Sequence, residues 1–157
     1  MNTVDTPRPK RLGIARLFRW NDAADTALNS LQPVAALLAR WYVAQVFFAS
    51  GLTKIRDWNI TLALFADEYK VPLLSPPLAA FLGTAAELVL PVLLLGLGGR
   101  GPALGLSVVN VVAVLSLSDI APAALQQHMT WGVVLAALAI YGSGRFTLDG
   151  WLRRWAM

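Results

Sequence analysis

Four apolar stretches, each bounded by short polar or charged segments, set the pattern of the chain. Residues 33–53 are interrupted by one charge, Arg40, and residues 77–98 by Glu87 alone. Residues 102–118 carry no charge, and residues 127–144 make a fourth, shorter run. A helix needs about 20 apolar residues to cross the hydrocarbon core of a bilayer. The pattern therefore predicts an all-α fold, an integral membrane four-helix bundle over residues 33–144. The fourth run is read as a span partly because an even number of crossings agrees with the flanking charges. Between the first two runs, residues 60–69 (ITLALFADEY) read as a short amphipathic helix. It is stopped by Val71-Pro72 and Ser75-Pro76-Pro77, which favour extended or turn backbone.

The ends of the chain read differently. Residues 1–32 are expected to be a cytoplasmic segment, disordered over residues 1–10 and interfacial beyond. There Leu12, Ala15, Leu17 and Phe18 lie among arginines, the pattern of a surface-lying amphipathic helix. Residues 145–157 are expected to form a cytoplasmic C-terminal helix, with the Asp149 carboxylate near its N-terminus. The basic leader is too long, and the first apolar run too extended, for a cleavable signal peptide.

Charge gives the orientation. Nine basic residues fall on one side: Arg8, Lys10, Arg11, Arg16, Arg19, Arg100, Arg145, Arg153 and Arg154. The other side has three, Lys54, Arg56 and Lys70, interleaved with Asp57, Asp67 and Glu68. The positive-inside rule then places both termini in the cytoplasm of a multi-pass inner-membrane protein. Trp20, Trp151 and Trp155 would flank the inner interface, and Trp58 and Trp131 the outer one.

Composition narrows the chemistry. Of 157 residues 57% are hydrophobic and 14% charged, too apolar for an ordinary soluble domain. The net charge of +4 comes from basic residues in short segments between the runs, which argues against nucleic acid as a partner. With no Cys there is no disulfide, thiolate nucleophile or Cys-ligated cluster, and one His cannot build a multi-His metal centre. The chain alone is thus expected to hold no metal and no redox cofactor.

Ionisable residues inside spans are costly unless paired or facing a cavity. Counted at 1.5 Å per residue from the inner face, Arg40 falls ~10 Å deep, Asn110 ~14 Å and Glu87 ~16 Å. These three residues are the candidate intramembrane polar site. One reading is a buried Arg40–Glu87 ion pair that fixes helix register, with Asn110 completing its hydrogen bonds. Another is a site that handles protons or a ligand, and a third has Arg40 snorkelling to the inner surface. Gly51 and Lys54 end the first helix on the same stripe as Arg40, with Lys54 as interfacial anchor or functional cation. Asp119 and His128 bracket an outer loop. With Asp67 and Glu68 they are candidates for metal or proton binding, against the alternative of a satisfied interface histidine.

The run from Arg40 to Lys54 (RWYVAQVFFASGLTK) resembles the first-helix signature of the DoxX family, an Arg, an apolar run and Gly-x-x-Lys. Ala86-Glu87-Leu88, the leucine-rich stretch to Gly98 and the Arg100 turn resemble its second-helix signature. The segment GSGRFTLD ending at Asp149 is similar to its C-terminal end. The resemblance implies a four-helix bacterial inner-membrane protein. The family's name comes from a subunit associated with quinol oxidation, which makes a quinone the candidate ligand, and some members resemble membrane parts of redox or oxidative-stress assemblies. The loop carrying Trp58, Leu64-Phe65, Glu68-Tyr69 and Val71-Pro72 resembles a branch found beside small secreted, metal-responsive peptides. The expected role is an accessory subunit of a redox or metal/oxidative-stress system, not catalytic on its own. Its expected partners are the lipid bilayer, a membrane or periplasmic protein and a second copy of the chain. The alternatives are a small transporter or export component using the Arg-Glu site, and a structural membrane scaffold.

Overall fold

A computed structural model describes residues 11–97, 100–142 and 155. Five helices follow in order: α1 (Arg11–Arg56), α2 (Trp58–Asp67), α3 (Pro76–Gly96), α4 (Arg100–Ser116) and α5 (Pro122–Tyr141). No strand occurs among the described residues; Tyr69 and Leu117 form an isolated antiparallel bridge. The expectations for residues 1–10 and for the terminal helix around Asp149 lie outside the described residues.

The chain divides into two compact units, residues 1–32 and residues 33–157. In the first, the described side chains are exposed, including Phe18, Trp20, Leu28 and Leu31. Its polar side chains bond locally, with Asn21 donating to Asp25 and the Thr26 hydroxyl to the Asp22 carbonyl. Pro33 had marked the expected start of the first span, yet it lies inside α1. A proline removes one N–H and crowds the carbonyl four residues earlier. Ala-, Leu- and Arg-rich sequence on either side supplies helix formers that outweigh this single defect.

In the second unit, the C-terminal half of α1 joins α3, α4 and α5 around one core. Val43 and Phe47 meet Leu94, Ala103, Leu106, Leu135 and Leu138. The Phe47 and Trp131 rings meet edge-on at 5.9 Å between centroids. The short connections make α3, α4 and α5 antiparallel neighbours. Helix α2 packs on α3 through a smaller core of Phe65, Ala79 and Ala80. Asp57 caps α2, its carboxylate accepting the Ile60 N–H at 3.0 Å. Thr61 and Phe65, one turn apart, are its buried face.

Among the described residues three helices are long and apolar enough to cross a membrane: α1, α3 and α5. Helix α4, at 17 residues, is shorter, about 26 Å at the standard rise, where a bilayer core is about 30 Å thick. Helix α5 begins at Pro122, five residues before the expected run, and so reaches 20 residues. Proline is favoured at the first helical position, and the Ala-Ala-Leu-Gln-Gln that follows is good helix former despite its modest hydropathy. Gly142 ends the helix at φ +79°, a conformation that favours glycine.

Candidate functional site

Lys54 occupies the last turn of α1, and Glu87 the middle of α3. The Lys54 ammonium lies 2.6 Å from Glu87 Oε2 and 2.9 Å from Oε1. It also donates to the Ser50 hydroxyl at 2.8 Å, one turn earlier on α1. Both charged side chains are largely buried, with 14% and 11% of their surface exposed. The Thr61 hydroxyl donates to the Lys54 carbonyl at 2.8 Å, tying the start of α2 to the end of α1.

The helices approach closely here because position 51 has no side chain. A Cβ on Gly51 would sit 2.9 Å from Leu88 Cγ and 3.2 Å from Glu87 Cβ. One turn beyond Glu87, buried Pro91 lacks the N–H that would bond the Glu87 carbonyl. The pair thus forms where α3 has a break in its own hydrogen-bond ladder. Thr84, one turn before Glu87, is buried, and its hydroxyl has no partner among the described residues.

Lys54 and Glu87 line a pocket of about 250 Å³ between α3, α4 and the α2–α3 connection. The other walls are almost entirely apolar, among them Phe65, Leu82, Ala86, Val108, Val112 and Ala113. Leu82 and Val108 are themselves substantially exposed on the outer face of their helices, at 46% and 62%. The pocket therefore opens sideways. Its end is bounded by Tyr69, held near α4 by the Lys70 N–H bonded to the Ser116 carbonyl at 2.8 Å. Burial, then the fields of Glu87 and Glu68, push the Tyr69 phenol above its ordinary value, so it stays protonated at neutral pH. A second groove, about 330 Å³ between α1 and α3, is lined by Trp41, Phe48, Leu52, Val92 and their neighbours, and has no charged side chain.

The three residues expected in one polar layer separate. Arg40 is buried, but its guanidinium donates to the Gly142 carbonyl at the end of α5, not to Glu87. Arg100 donates to the neighbouring Ile140 carbonyl at 3.3 Å. Two arginines therefore cover the carbonyl end of α5, where cations complement the helix dipole. The expected layer counted Arg40's depth from Pro33. The ends of the neighbouring helices stand level with Arg40 itself, and Lys54 lies roughly 21 Å further along α1. No arginine side chain reaches that far.

Asn110 is buried on α4 and pairs with His128 on α5. Its amide donates to the His128 carbonyl at 2.9 Å, and its oxygen meets ring Nδ1 at 2.8 Å. With the amide fixed by the first bond, Nδ1 carries the ring proton in the second. The ring also stands edge-on to Trp131, 4.9 Å between centroids. Asp119 lies in an exposed bend. No group of three metal-ligating side chains occurs among the described residues.

Arg40→Gln is expected to remove a buried charge-assisted bond and lower stability by about 1.5–3 kcal/mol. Thermal unfolding in detergent measures this. An unchanged melting temperature contradicts the capping role.

Sequence reasoning put Gly51 and Lys54 on one stripe of the first helix but paired Glu87 with Arg40 and not with Lys54. The signal lay in Ser50-Gly51 and Lys54, where a small residue and a hydroxyl sit within one turn of the ammonium. Tyr69 was seen only as part of a loop pattern, because its approach to α4 is made by tertiary contacts.

Comparison with known proteins adds one finding. No curated protein and no solved structure matches the chain. The DoxX family model matches residues 35–119, more than half of the chain, and the matched stretch contains Arg40, Gly51, Lys54, Glu87 and Asn110. The chain belongs to the DoxX family.

Proposed function

We propose that this membrane protein is an accessory subunit of a redox or metal/oxidative-stress system, with the Lys54–Glu87 pocket as the seat of a lipid-soluble carrier such as a quinone. The observation that carries this reading is a nearly buried ion pair set into the wall of an otherwise apolar, sideways-opening pocket. A pair needed only for helix register gains nothing from such a cavity. Intramembrane charges beside a cavity mark ligand or ion paths. The sequence has no Cys and one His, so a metal redox centre belongs to a partner, on the membrane or in the periplasm. The chain is not a catalyst on its own in this account. The excess of basic residues on one side supports an inner-membrane location with both termini cytoplasmic.

Purification of the native complex in a gentle detergent tests the reading. The expected result is copurification of an oxidoreductase and bound quinone, with Glu87→Gln depleted in quinone per mole of folded protein. A chain that runs alone without quinone contradicts it. Substrate- or pH-gradient-dependent flux in proteoliposomes, abolished by Glu87→Gln, would instead identify a transporter.

A further inference from the structure

The hydrogen-bond arithmetic of the pocket is one-sided. An ammonium has three N–H donors, and three acceptors surround Lys54: Ser50 Oγ and both Glu87 oxygens. No donor of Lys54 remains for a ligand, and the donor left on the pocket wall is the Tyr69 phenol at its end. Each Glu87 oxygen takes one bond from Lys54 and keeps a second lone pair. The pair therefore presents surplus acceptor capacity toward the pocket, and its charges cancel.

An anionic head, such as a carboxylate or phosphate, would meet the Glu87 charge with no free donor to offset it. A carbonyl or ether head set against Glu87 would place lone pair against lone pair. A cationic head would compete with Lys54, which already holds both oxygens. A neutral hydroxyl is the one common head group that completes the Glu87 carboxylate without displacing Lys54. Its hydrogen bond to the carboxylate is charge-assisted and short. Apart from Tyr69 and Ser116 the remaining pocket wall is apolar and opens between Leu82 and Val108, so the rest of the ligand is hydrocarbon or ring and arrives from the bilayer.

We infer that the pocket selects a membrane-dissolved molecule with an apolar body and a hydroxyl head that donates to Glu87, a phenol or alcohol and not a carbonyl or acidic lipid. This rests on the reading of the pocket as a binding site. For a redox carrier it means that the reduced, hydroxyl-bearing form is held in preference to the oxidised, carbonyl form.

The test uses the full chain in phosphatidylcholine nanodiscs. Its probes are para-nonylphenol, its methyl ether para-nonylanisole, and decanoate, with binding read by equilibrium partitioning. The phenol is expected to bind about tenfold more tightly than the ether, and decanoate is not expected to displace it. Glu87→Leu should bring phenol and ether to equal affinity. Ala113→Phe, which leaves the ion pair intact and fills the pocket, should weaken both. The wild-type comparison needs no variant to fold. Equal binding of phenol and ether, or displacement by decanoate, overturns the inference. A phenol preference in a protein whose native complex lacks an oxidoreductase would sink the redox reading and leave this one standing.

Discussion

Glu87→Ala is expected to lower the stability of the bundle by about 3–5 kcal/mol, the loss typical when one partner of a buried ion pair is removed. The reason is the ammonium left behind. Lys54 is 14% exposed, and without Glu87 its remaining side-chain acceptor among the described residues is Ser50. Lys54→Met alone should be similarly damaging, because it strands the Glu87 carboxylate. The double variant Lys54→Met/Glu87→Met should recover most of the loss, since two apolar side chains can replace a buried pair with little net change. Unfolding of the wild type, Glu87→Met, Lys54→Met and the double variant in detergent gives the coupling energy directly. Recovery of Glu87→Met by Arg40→Met, with none by Lys54→Met, would restore the pairing that the geometry rejects.

The second large effect is steric. Gly51→Val is expected to cost about 1–3 kcal/mol by overpacking. The new Cβ alone would stand 2.9 Å from Leu88 Cδ2 and Cγ and 3.2 Å from Glu87 Cβ; the Cδ2 methyl can rotate away, whereas Cγ and Cβ lie close to the α3 backbone. Relief requires α1 and α3 to separate at the level of the ion pair. The phenol preference of the pocket should therefore fall together with stability. Gly101→Ala is the matched control. Nothing lies within 4 Å of a Cβ at that position, inside helix α4, so the change should be neutral or stabilising by up to about 1 kcal/mol. A harmless Gly51→Val would mean that the close approach is not needed.

Much of this was legible in the sequence, for identifiable reasons. Apolar runs bounded by Pro and Gly marked α3 and α4 to within two residues, because hydrophobic length and helix-end chemistry agree there. Helix α2 was visible as an amphipathic piece, and Asp57 supplies its cap. Helix α5 was placed too late, because Pro122 and Gln126 interrupt the apolar pattern ahead of residue 127 in a segment that is helical from Pro122 onward.

The site was legible as a set of residues and not as a set of pairs. Arg40, Glu87, Asn110, Gly51 and Lys54 all declare themselves by being polar, or small, in apolar helices. Which of them meet depends on the vertical offset between helices. An error of seven residues in where α1 joins the bundle shifts that offset by about 10 Å. The offset is fixed by contacts without a one-dimensional signature: Gly51 against Leu88, Arg40 against the Gly142 carbonyl, and Asn110 against His128.

The central claim is that the Lys54–Glu87 pocket, and not some other face of the bundle, receives the ligand. A photoreactive quinone analogue bearing a phenolic head, applied to the protein in nanodiscs and mapped by mass spectrometry, tests it most directly. The account predicts labels concentrated on Leu82, Val108, Val112 and Ala113, suppressed by para-nonylphenol and by Ala113→Phe. Labels spread evenly over the apolar surface, or gathered in the groove of Trp41, Phe48 and Leu52, would contradict it.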